Sequence, residues 1–355
     1  MKKWEENVRK VVPYTPGEQP NQPGMIKLNT NENPYPPAPG VQRALEELEA
    51  ESLRLYPDPA ASELVAALAE YYGKEKERFF VGVGSDDVIA MAFQTFFHSE
   101  KPILFPDISY SFYSVWADLF QIPYRRPALD GDFRLVKADY FKDNGGIIFP
   151  NPNAPTGIYM ELEEVEEILS HNPDSVVIVD EAYVDFAGPS AMELVDKYEN
   201  LMVVQTFSKS RSMAGIRIGF AYAQPKLIRY LNDVKYSFNS YTMNLPSLKL
   251  GAASLKDRAY FQETVSKIVS TRERVKKELS RLGFTFPDSK ANFIFASHES
   301  CPAKELFAAL REKNIYVRYF AAPRIENYLR ITVGTDREMD ELLNFLRAYL
   351  NRRPC

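Results

Sequence analysis

Six short apolar runs recur between residues 78 and 223, separated by segments long enough to hold a crossover helix. The runs read RFFVGVG, KPILFP, GGIIFPNP, SVVIVDEAY, LMVVQTF and RIGFAYA. Their apolar residues are continuous rather than alternating, which is typical of strands buried on both faces. Strands of this kind, alternating with helices, predict an α/β fold with a mainly parallel central sheet.

The composition changes along the chain and predicts three parts. Residues 1–40 are rich in proline and asparagine, as in VPYTPGEQPNQPG and NTNENPYPPAPG, and such a segment forms an extended arm that must lie on other parts of the molecule. Residues 41–245 contain the predicted sheet and form the large domain. Residues 246–355 change to long charged helices followed by the shorter strands ANFIFAS, IYVRYF and YLRITVG, which predict a smaller α+β domain.

Length and charge limit the classes of partner. A chain of 355 residues with 45% hydrophobic content can bury the core of one large domain or of two. Its formal net charge of −5 gives no general basic field, so nucleic acid and anionic membrane surfaces are not expected as partners. Because no apolar run approaches about eighteen residues and the N-terminus lacks the apolar core of a signal peptide, we expect a cytoplasmic protein.

The cysteines and histidines do not form a catalytic or metal-binding pattern. Cys301 and Cys355 lie far apart, and the three histidines, His98, His171 and His298, are scattered. No serine occurs in a GxSxG sequence. We therefore expect no protein-bound metal and no serine or cysteine nucleophile.

Polar residues follow several of the predicted strands, at the edge where parallel sheets bind ligands. Asp180 ends a run of apolar residues, where burial of a carboxylate requires a cationic or hydrogen-bonding partner, and Tyr183 follows it. Gly84 and Ser85 end another strand and open a helix, whose N-terminal amides favour a phosphate.

Two more strands end in a proline turn and in a lysine surrounded by hydroxyl groups. The turn NPNAPTG contains Asn153 before Ala154 and is compatible with a cis-proline bend. The stretch TFSKSRSMAGIRIGF places Lys209 between two serines and Arg217 eight residues later. Each residue alone could be a helix cap, a surface lysine or a surface ion pair. Together they match the needs of pyridoxal phosphate, whose aldehyde requires a lysine, whose ring nitrogen requires a carboxylate and whose phosphate requires amides, hydroxyls and an arginine.

The order NPxxPTG, then DExY, then S/T-x-S-K-x7-R-x-G resembles that of the fold type I pyridoxal-phosphate-dependent aminotransferases, and the resemblance covers most of the chain. It implies that Lys209 forms the Schiff base and moves the proton between the substrate Cα and the cofactor. It also implies that Asp180 is the partner of the ring nitrogen and that Tyr183 donates to the ring oxygen.

The same resemblance implies further site residues and a homodimer. The residues implied to hold the phosphate are Gly84, Ser85, Asp86, Thr206, Ser208 and Arg217. Tyr110 corresponds to the aromatic residue that stacks on the ring, and Tyr56 to a tyrosine that reaches the phosphate of the neighbouring subunit. Such a shared site implies a dimer, on which the arm packs as well as on the small domain. Arg330, in YLRITVG, corresponds to the arginine that binds the substrate carboxylate with two parallel hydrogen bonds.

The turn departs from the common pattern of the family at one position. Many members have an asparagine directly before PTG that contacts the ring oxygen and the substrate, whereas this chain has Ala154 there and Asn153 before it. Either Asn153 makes this contact or the contact is missing.

Four features resemble the members that act on L-histidinol phosphate: the short length, the VPYTPGE arm, LNTNENPYPP and VRYF...NYLRITVGT. The implied reaction exchanges an amino group between histidinol phosphate and glutamate or 2-oxoglutarate, with Arg330, Arg318 and Tyr14 binding the phosphate or carboxylate. Three alternatives stay open at this point. They are an aromatic amino acid aminotransferase, a threonine-phosphate decarboxylase, and a ligand-binding module without catalytic activity.

Overall fold

The computed structural model describes residues 2–351, so Cys355 lies outside the described residues. The strands are β1 (Ile26–Lys27), β2 (Phe79–Gly82), β3 (Ile103–Leu104), β4 (Tyr124–Arg125), β5 (Ile147–Pro150), β6 (Val177–Asp180), β7 (Leu201–Thr206), β8 (Gly219–Ala223), β9 (Phe284–Thr285), β10 (Phe293–His298), β11 (Ile315–Tyr316), β12 (Arg318–Tyr319) and β13 (Leu329–Thr332). The α-helices are α1 (Pro39–Glu46), α2 (Ser62–Tyr72), α3 (Gly84–Phe96), α4 (Phe112–Phe120), α5 (Leu162–Ser170), α6 (Pro225–Phe238), α7 (Leu245–Ser254), α8 (Arg258–Arg281), α9 (Ala303–Glu312) and α10 (Asp336–Asn351). Short 3₁₀ helices lie at Lys3–Asn7, Ala50–Arg54, Lys76–Arg78, Lys137–Tyr140, Val184–Phe186, Ala191–Leu194 and Ala214–Ile216. Within residues 2–351, none of the helices combines the length and the apolar character needed to cross a membrane.

The large sheet has seven strands in the order β2-β8-β7-β6-β5-β3-β4, and only β8 runs antiparallel to its neighbours. The prediction of a mainly parallel α/β sheet is therefore confirmed. Strand β6 is continuously apolar because both of its faces are buried. Val177 and Val179 pack into one buried cluster and Ile178 packs into a second, because helices cover both faces of the sheet. The short edge strand β4 was missed in the sequence because its residues are only partly buried or exposed and carry no apolar pattern.

The C-terminal part contains a second, four-stranded antiparallel sheet in the order β12-β13-β10-β9. The segment IYVRYF was expected to be one strand, and this expectation was wrong. Its first half, β11, pairs in parallel with β1 of the arm, and its second half, β12, pairs with β13. The break arises because two different partners hold the two halves, which the sequence of the segment does not reveal. The arm is thereby joined to the C-terminal part by hydrogen bonds between backbones.

The carboxyl ends of the central strands lie at one edge of the large sheet. In the register of the sheet, Asp180 of β6 pairs with Pro150 of β5 and with Val204 of β7. The NPNAPTG turn, the DEAY segment and the loop containing Lys209 therefore leave the sheet side by side.

Candidate active site

A pocket of about 160 Å³ lies at this edge of the large sheet. Nine of the residues predicted from the sequence line it: Ser85, Asp86, Tyr110, Asp180, Tyr183, Thr206, Ser208, Lys209 and Arg217. An adjoining cleft of about 480 Å³ shares Tyr110, Tyr183 and Lys209 with the pocket. The cleft is also lined by the remaining predicted substrate residues, Tyr14, Arg318 and Arg330.

Asp180 is a buried carboxylate at the base of the pocket. The hydroxyl of Tyr113 donates a 2.7 Å hydrogen bond to its Oδ2, and the backbone N–H of Ala182 donates to its Oδ1 at 3.3 Å. Burial raises the pKa of Asp180 to about 6, and the nearby Asp86 acts in the same direction, whereas these two hydrogen bonds oppose the rise. A protonated ring nitrogen would supply the positive charge that this carboxylate lacks.

Lys209 lies where the pocket meets the cleft. Its Nζ donates to the backbone oxygen of Thr30 at 3.1 Å and lies 5.9 Å from the ring centre of Tyr183. No carboxylate forms an ion pair with it within residues 2–351. The amine is therefore held by one neutral acceptor only and faces the space shared by the two cavities.

The start of α3 and the loop after β7 form the polar end of the pocket. Gly84 has a left-handed backbone, with φ of 84°, and a Cβ at this position would lie 2.5 Å from the guanidinium of Arg217. The Oγ of Ser208 accepts from Thr206 at 3.0 Å and from Arg217 at 3.4 Å. Amides of a helix N-terminus, two hydroxyls and an arginine thus converge in the manner expected of a phosphate site.

Tyr110 is fixed by the same end of the pocket. Its hydroxyl donates a 2.8 Å hydrogen bond to Oδ1 of Asp86, whose Oδ2 lies 3.3 Å from a nitrogen of Arg217. Burial, followed by the charge of Asp86, raises the pKa of Tyr110 far above its usual range, so the phenol stays neutral.

Arg318 and Arg330 face each other as a pair across β12 and β13. Arg330 donates from one terminal nitrogen to the backbone oxygen of Asn29 at 2.9 Å, and its Nε is buried without a hydrogen-bond partner among the described residues. Burial, together with the neighbouring charge of Arg318, lowers the pKa of Arg330. No carboxylate within residues 2–351 forms an ion pair with either arginine, and both line the cleft, an arrangement that suits an anion. We call this pair the anion clamp.

The arm covers the anion clamp. Tyr14 stacks on Phe112 of α4 with ring centres 4.3 Å apart, and it lines the cleft. Gly17 lies so close to Arg318 that a Cβ there would be 3.3 Å from its guanidinium. The arm therefore forms one wall of the cleft in front of Lys209.

Asn153 is not brought into the pocket. Its Nδ2 donates to the backbone oxygen of Ile108 and to Thr156, and the side chain lines a different cavity of about 130 Å³. Ala154 lines the pocket instead. The peptide bonds before Pro152 and Pro155 are both cis.

Tyr56 also lies outside the pocket of its own chain. It is 83% exposed, and its ring lies 4.8 Å from that of Tyr241. Exposed apolar residues surround it in the sequence, with Leu53 54% and Leu55 60% exposed. Its position is compatible with a contact to a second subunit and not with a contact to its own pocket.

Two residues of the site were missed in the sequence. Asn31 of the arm donates from Nδ2 to the hydroxyl of Tyr183 at 2.9 Å, and Tyr113 binds Asp180 as described above. The NTNEN segment carries a signal in retrospect, because a cluster of asparagines next to an extended arm requires partners for its amides. Tyr113 carries no such signal, since it lies among several aromatic residues of SYSFYSVW.

The groups present fit pyridoxal phosphate. The amides and hydroxyls at the start of α3, a buried carboxylate and a lysine line one pocket, and burial raises the pKa of Asp180 to about 6, which a positively charged partner would oppose. The left-handed backbone of Gly84 favours glycine, and a Cβ there would press on the guanidinium of Arg217. The described residues contain no cluster of side chains suited to a metal ion.

Fold and site together define an aminotransferase. Residues 23–346 match the family of class I and II aminotransferases, and the chain belongs to this family. Among its relatives, the histidinol-phosphate aminotransferase of Lactococcus lactis subsp. cremoris strain MG1363 is 52% identical over 350 residues, which cover 99% of this chain and 98% of the relative. That of Acinetobacter baylyi is 50% identical and covers 99% of this chain and 98% of the relative.

Solved structures share the fold. The histidinol-phosphate aminotransferase of Clostridium acetobutylicum aligns with a TM-score of 0.85 at 22% identity, covering 93% of this chain and 100% of the other. That of Sinorhizobium meliloti, solved in complex with pyridoxal-5'-phosphate, aligns with a TM-score of 0.84 at 22% identity, covering 92% of this chain and 91% of the other. The prediction of a fold type I aminotransferase is confirmed by these findings.

Proposed function

We propose that this protein transfers the amino group of L-histidinol phosphate to 2-oxoglutarate, giving imidazole-acetol phosphate and glutamate in histidine biosynthesis. The observation that carries the proposal is the anion clamp of Arg318 and Arg330 beside Lys209, since two guanidinium groups that line the cleft suit a phosphate ester and a carboxylate alike. Relatives of about half-identical sequence over the full length, which carry the name histidinol-phosphate aminotransferase, support the same substrate.

Pyridoxal phosphate, when bound, supplies an aldehyde for the amino group and a ring that accepts electrons. Lys209 is the residue that would bind the aldehyde and afterwards take up and return the proton of the substrate Cα. Its contact with the oxygen of Thr30 holds the amine at the entrance of the cleft, where a substrate held by the clamp would present its Cα.

Asp180 and Tyr183 are proposed to act on the two polar groups of the cofactor ring. The buried carboxylate of Asp180 keeps a proton on the ring nitrogen, because in a dry environment a carboxylate stabilises a positive partner strongly. The phenol of Tyr183 donates to the ring oxygen. Both side chains line the pocket with Lys209.

The anion clamp explains how one site serves two substrates. Histidinol phosphate carries a phosphate ester at the place where glutamate carries its α-carboxylate. Arg330 provides the fixed guanidinium, and Arg318 provides the second charge on the neighbouring strand. Arginine suits both anions because its planar donors match their pairs of oxygen atoms.

The proposal includes a homodimer in the cytoplasm. Support for the dimer comes from Tyr56, which is exposed near Leu53 and Leu55 and does not line the pocket of its own chain. Activity after mixing a Tyr56→Phe variant with a Lys209→Ala variant tests the shared site. Only a mixed dimer would have one pocket that combines an intact Lys209 from one subunit with an intact Tyr56 from the other, so mixing should restore part of the activity. Sedimentation of the purified protein as a monomer would contradict it.

Single-turnover absorbance tests the proposed function. Purified protein loaded with pyridoxal phosphate is mixed with histidinol phosphate or, separately, with phenylalanine, and the loss of the visible band of the bound cofactor is followed. We expect fast conversion with histidinol phosphate only. Equal rates with phenylalanine would instead favour an aromatic amino acid aminotransferase. The ring of phenylalanine could contact the stacked rings of Tyr14 and Phe112.

A further inference from the structure

The pocket lacks the amide that the position before Pro155 could provide. Ala154 has no hydrogen-bonding side chain, and Asn153 is turned toward another cavity. The amide of Asn31, which lies on the arm, contacts Tyr183 from the side of the cleft.

The orientation of the Asn31 amide is fixed by its partners. The backbone N–H of Asn31 donates to Oγ1 of Thr332 at 3.0 Å, so the hydroxyl proton of Thr332 is free to be donated. That proton goes to Oδ1 of Asn31 at 3.1 Å. The oxygen of the amide therefore faces Thr332 and its Nδ2 faces the hydroxyl of Tyr183, at 2.9 Å.

The rest of Asn31 is equally constrained. The residue is 1% exposed, its backbone oxygen accepts from Nδ2 of Asn292 at 3.0 Å, and its φ of 57° lies in the left-handed region that asparagine tolerates better than most residues. A buried residue with every polar group bonded holds its side chain in one position.

Because Tyr183 accepts from Asn31, its own proton must be donated elsewhere. Tyr183 lines the pocket, and its hydroxyl donates to no acceptor among the described residues. A phenol that accepts one hydrogen bond is also a stronger donor of the next. We propose that Asn31 is a positioning residue that makes Tyr183 a donor to the ring oxygen of the cofactor, in place of the amide absent at position 154.

The same segment also joins this phenol to the anion clamp. Thr332, which binds Asn31, lies on β13 two residues after Arg330, and the oxygen of Asn29 accepts from Arg330. The arm thus connects the cofactor side of the site to its substrate side through residues 29–31. This inference rests on the proposed function for its cofactor but not for its amino substrate.

The test compares variants of the loaded protein by the pH at which the visible absorbance of bound pyridoxal phosphate changes. Asn31→Gly removes the amide and keeps the left-handed backbone. Asn31→Asp replaces the donor by an acceptor, which would draw the proton of Tyr183 away from the cofactor. A donor to the ring oxygen stabilises its negative charge and so favours the deprotonated form of the bound cofactor. We expect both variants to move the midpoint to higher pH, by on the order of one pH unit.

Tyr183→Phe should move the midpoint in the same direction, and Asn31→Gly should add nothing in that background, because Asn31 acts through Tyr183. The control is Asn172→Ala, which removes another buried asparagine, one whose amide donates to the backbone oxygens of Tyr140 and Ile168. It should lower the melting temperature and leave the midpoint unchanged.

An unchanged midpoint in Asn31→Gly, or a shift that persists in full without the Tyr183 hydroxyl, would overturn the inference. These outcomes are separate from a failure of the proposed function. If the wild-type protein titrates and the variants respond, but histidinol phosphate is not converted, then the substrate is wrong and the role of Asn31 stands. A wild-type protein that binds no cofactor would overturn both.

Discussion

Tyr113 donates its hydroxyl to Asp180 across 2.7 Å in the interior of the large domain, and both residues are buried. Tyr113 belongs to α4 and Asp180 ends β6, so a helix that contributes Val115 to the cleft also supports the carboxylate proposed to bind the ring nitrogen. This hydrogen bond opposes the rise in the pKa of Asp180 that burial causes. It therefore favours the ionised carboxylate that a pyridinium nitrogen requires.

We expect Tyr113→Phe to weaken the binding of pyridoxal phosphate by about tenfold or more, since a hydrogen bond to a buried charge contributes about 1.5–3 kcal/mol. Fluorescence titration of the cofactor-free protein measures this. The matched control is Tyr140→Phe, because the hydroxyl of Tyr140 is buried and has no partner in the part of the chain that the structure describes. Equal losses in the two variants would mean that the hydroxyl of Tyr113 has no special role.

Lys209→Ala should reduce the rate of transamination by at least about 10²–10⁴-fold, because the proton transfer loses its acid and base. Circular dichroism and the melting temperature should show an intact fold, since the side chain makes only one hydrogen bond within residues 2–351. Lys249→Ala serves as the control, as Lys249 forms a surface ion pair with Glu63. Turnover near the wild-type level in Lys209→Ala would rule out the assigned role.

Arg330→Ala should raise KM for histidinol phosphate and for glutamate together, by on the order of 10²-fold, because both anions use the same guanidinium. Arg330→Lys keeps the charge and should recover only part of the loss, since lysine lacks the planar pair of donors. Steady-state kinetics with each substrate measures the effect, and the visible band of the cofactor checks that it remains bound. A loss confined to glutamate would place the phosphate of histidinol phosphate elsewhere.

The buried carboxylate of Glu181 makes the stability of the protein depend on pH. It is buried and accepts from Ser190, Gln205 and the N–H of Ala191, and burial raises its pKa to about 7 from about 4.5. The folded chain then holds a proton in this pH window that the unfolded chain has released, so the contribution of Glu181 to stability falls as pH rises through it.

Glu181→Gln lacks this titration. The free energy of unfolding of the wild type relative to the variant should therefore fall between about pH 4.5 and 7, by on the order of 3 kcal/mol, and stay level outside that window. Urea unfolding of the cofactor-free proteins at a series of pH values measures the difference. The control is Glu49→Gln, at an exposed glutamate. A difference that stays constant from pH 4.5 to 7 would contradict the raised pKa.

Arg324 gives a prediction for the contact between the two parts of the chain. It lies between β12 and β13, which carry the anion clamp, and donates to Oδ2 of Asp107 at 3.1 Å and to the backbone oxygens of Leu129 and Asp130 at 2.9 and 2.7 Å. Arg324→Met should raise KM for both substrates by about tenfold, because these charge-assisted bonds hold the loop between β12 and β13, which carry Arg318 and Arg330. Arg337→Met, which breaks the exposed pair with Glu341, should leave KM unchanged. Unaltered KM in Arg324→Met would show that the clamp is held by other contacts.

The sequence predicted those parts of the site that depend on the direction of strands. Asp180 and Lys209 follow apolar runs on the neighbouring parallel strands β6 and β7, and because the carboxyl ends of such strands meet, their proximity could be expected from the sequence. Ser85 follows β2, which the antiparallel strand β8 separates from β7, so this rule alone did not bring it to the same pocket. The clamp residues Arg318 and Arg330 came only from resemblance to a family, and their pairing across two antiparallel strands was not predicted.

The parts that escaped prediction depend on contacts between distant segments. The bond between Asn31 and Tyr183 joins residues 152 positions apart. That of Tyr113 with Asp180 joins residues 67 positions apart, and although Asn31 lies in the distinctive NTNEN segment, nothing in that segment names Tyr183 as its partner. The side-chain direction of Asn153 depends on the backbone of the turn, which residue types alone did not determine. One half of IYVRYF pairs with the arm and the other half with β13, and the local apolar pattern does not predict which strand each half pairs with.

The pairing of β1 with β11 has a consequence for the order in which the molecule is made. The two strands are separated by about 290 residues, so at a synthesis rate of about 5–20 residues per second the first strand waits roughly 15–60 s for its partner. The large sheet is complete by Ala223, well before β11, β12 and β13 emerge. A growing chain can thus build the sheet that supports the cofactor while the arm is still unpaired. The wall formed by the arm, with Asn31 and Tyr14, closes only after residues 315–316 have left the ribosome.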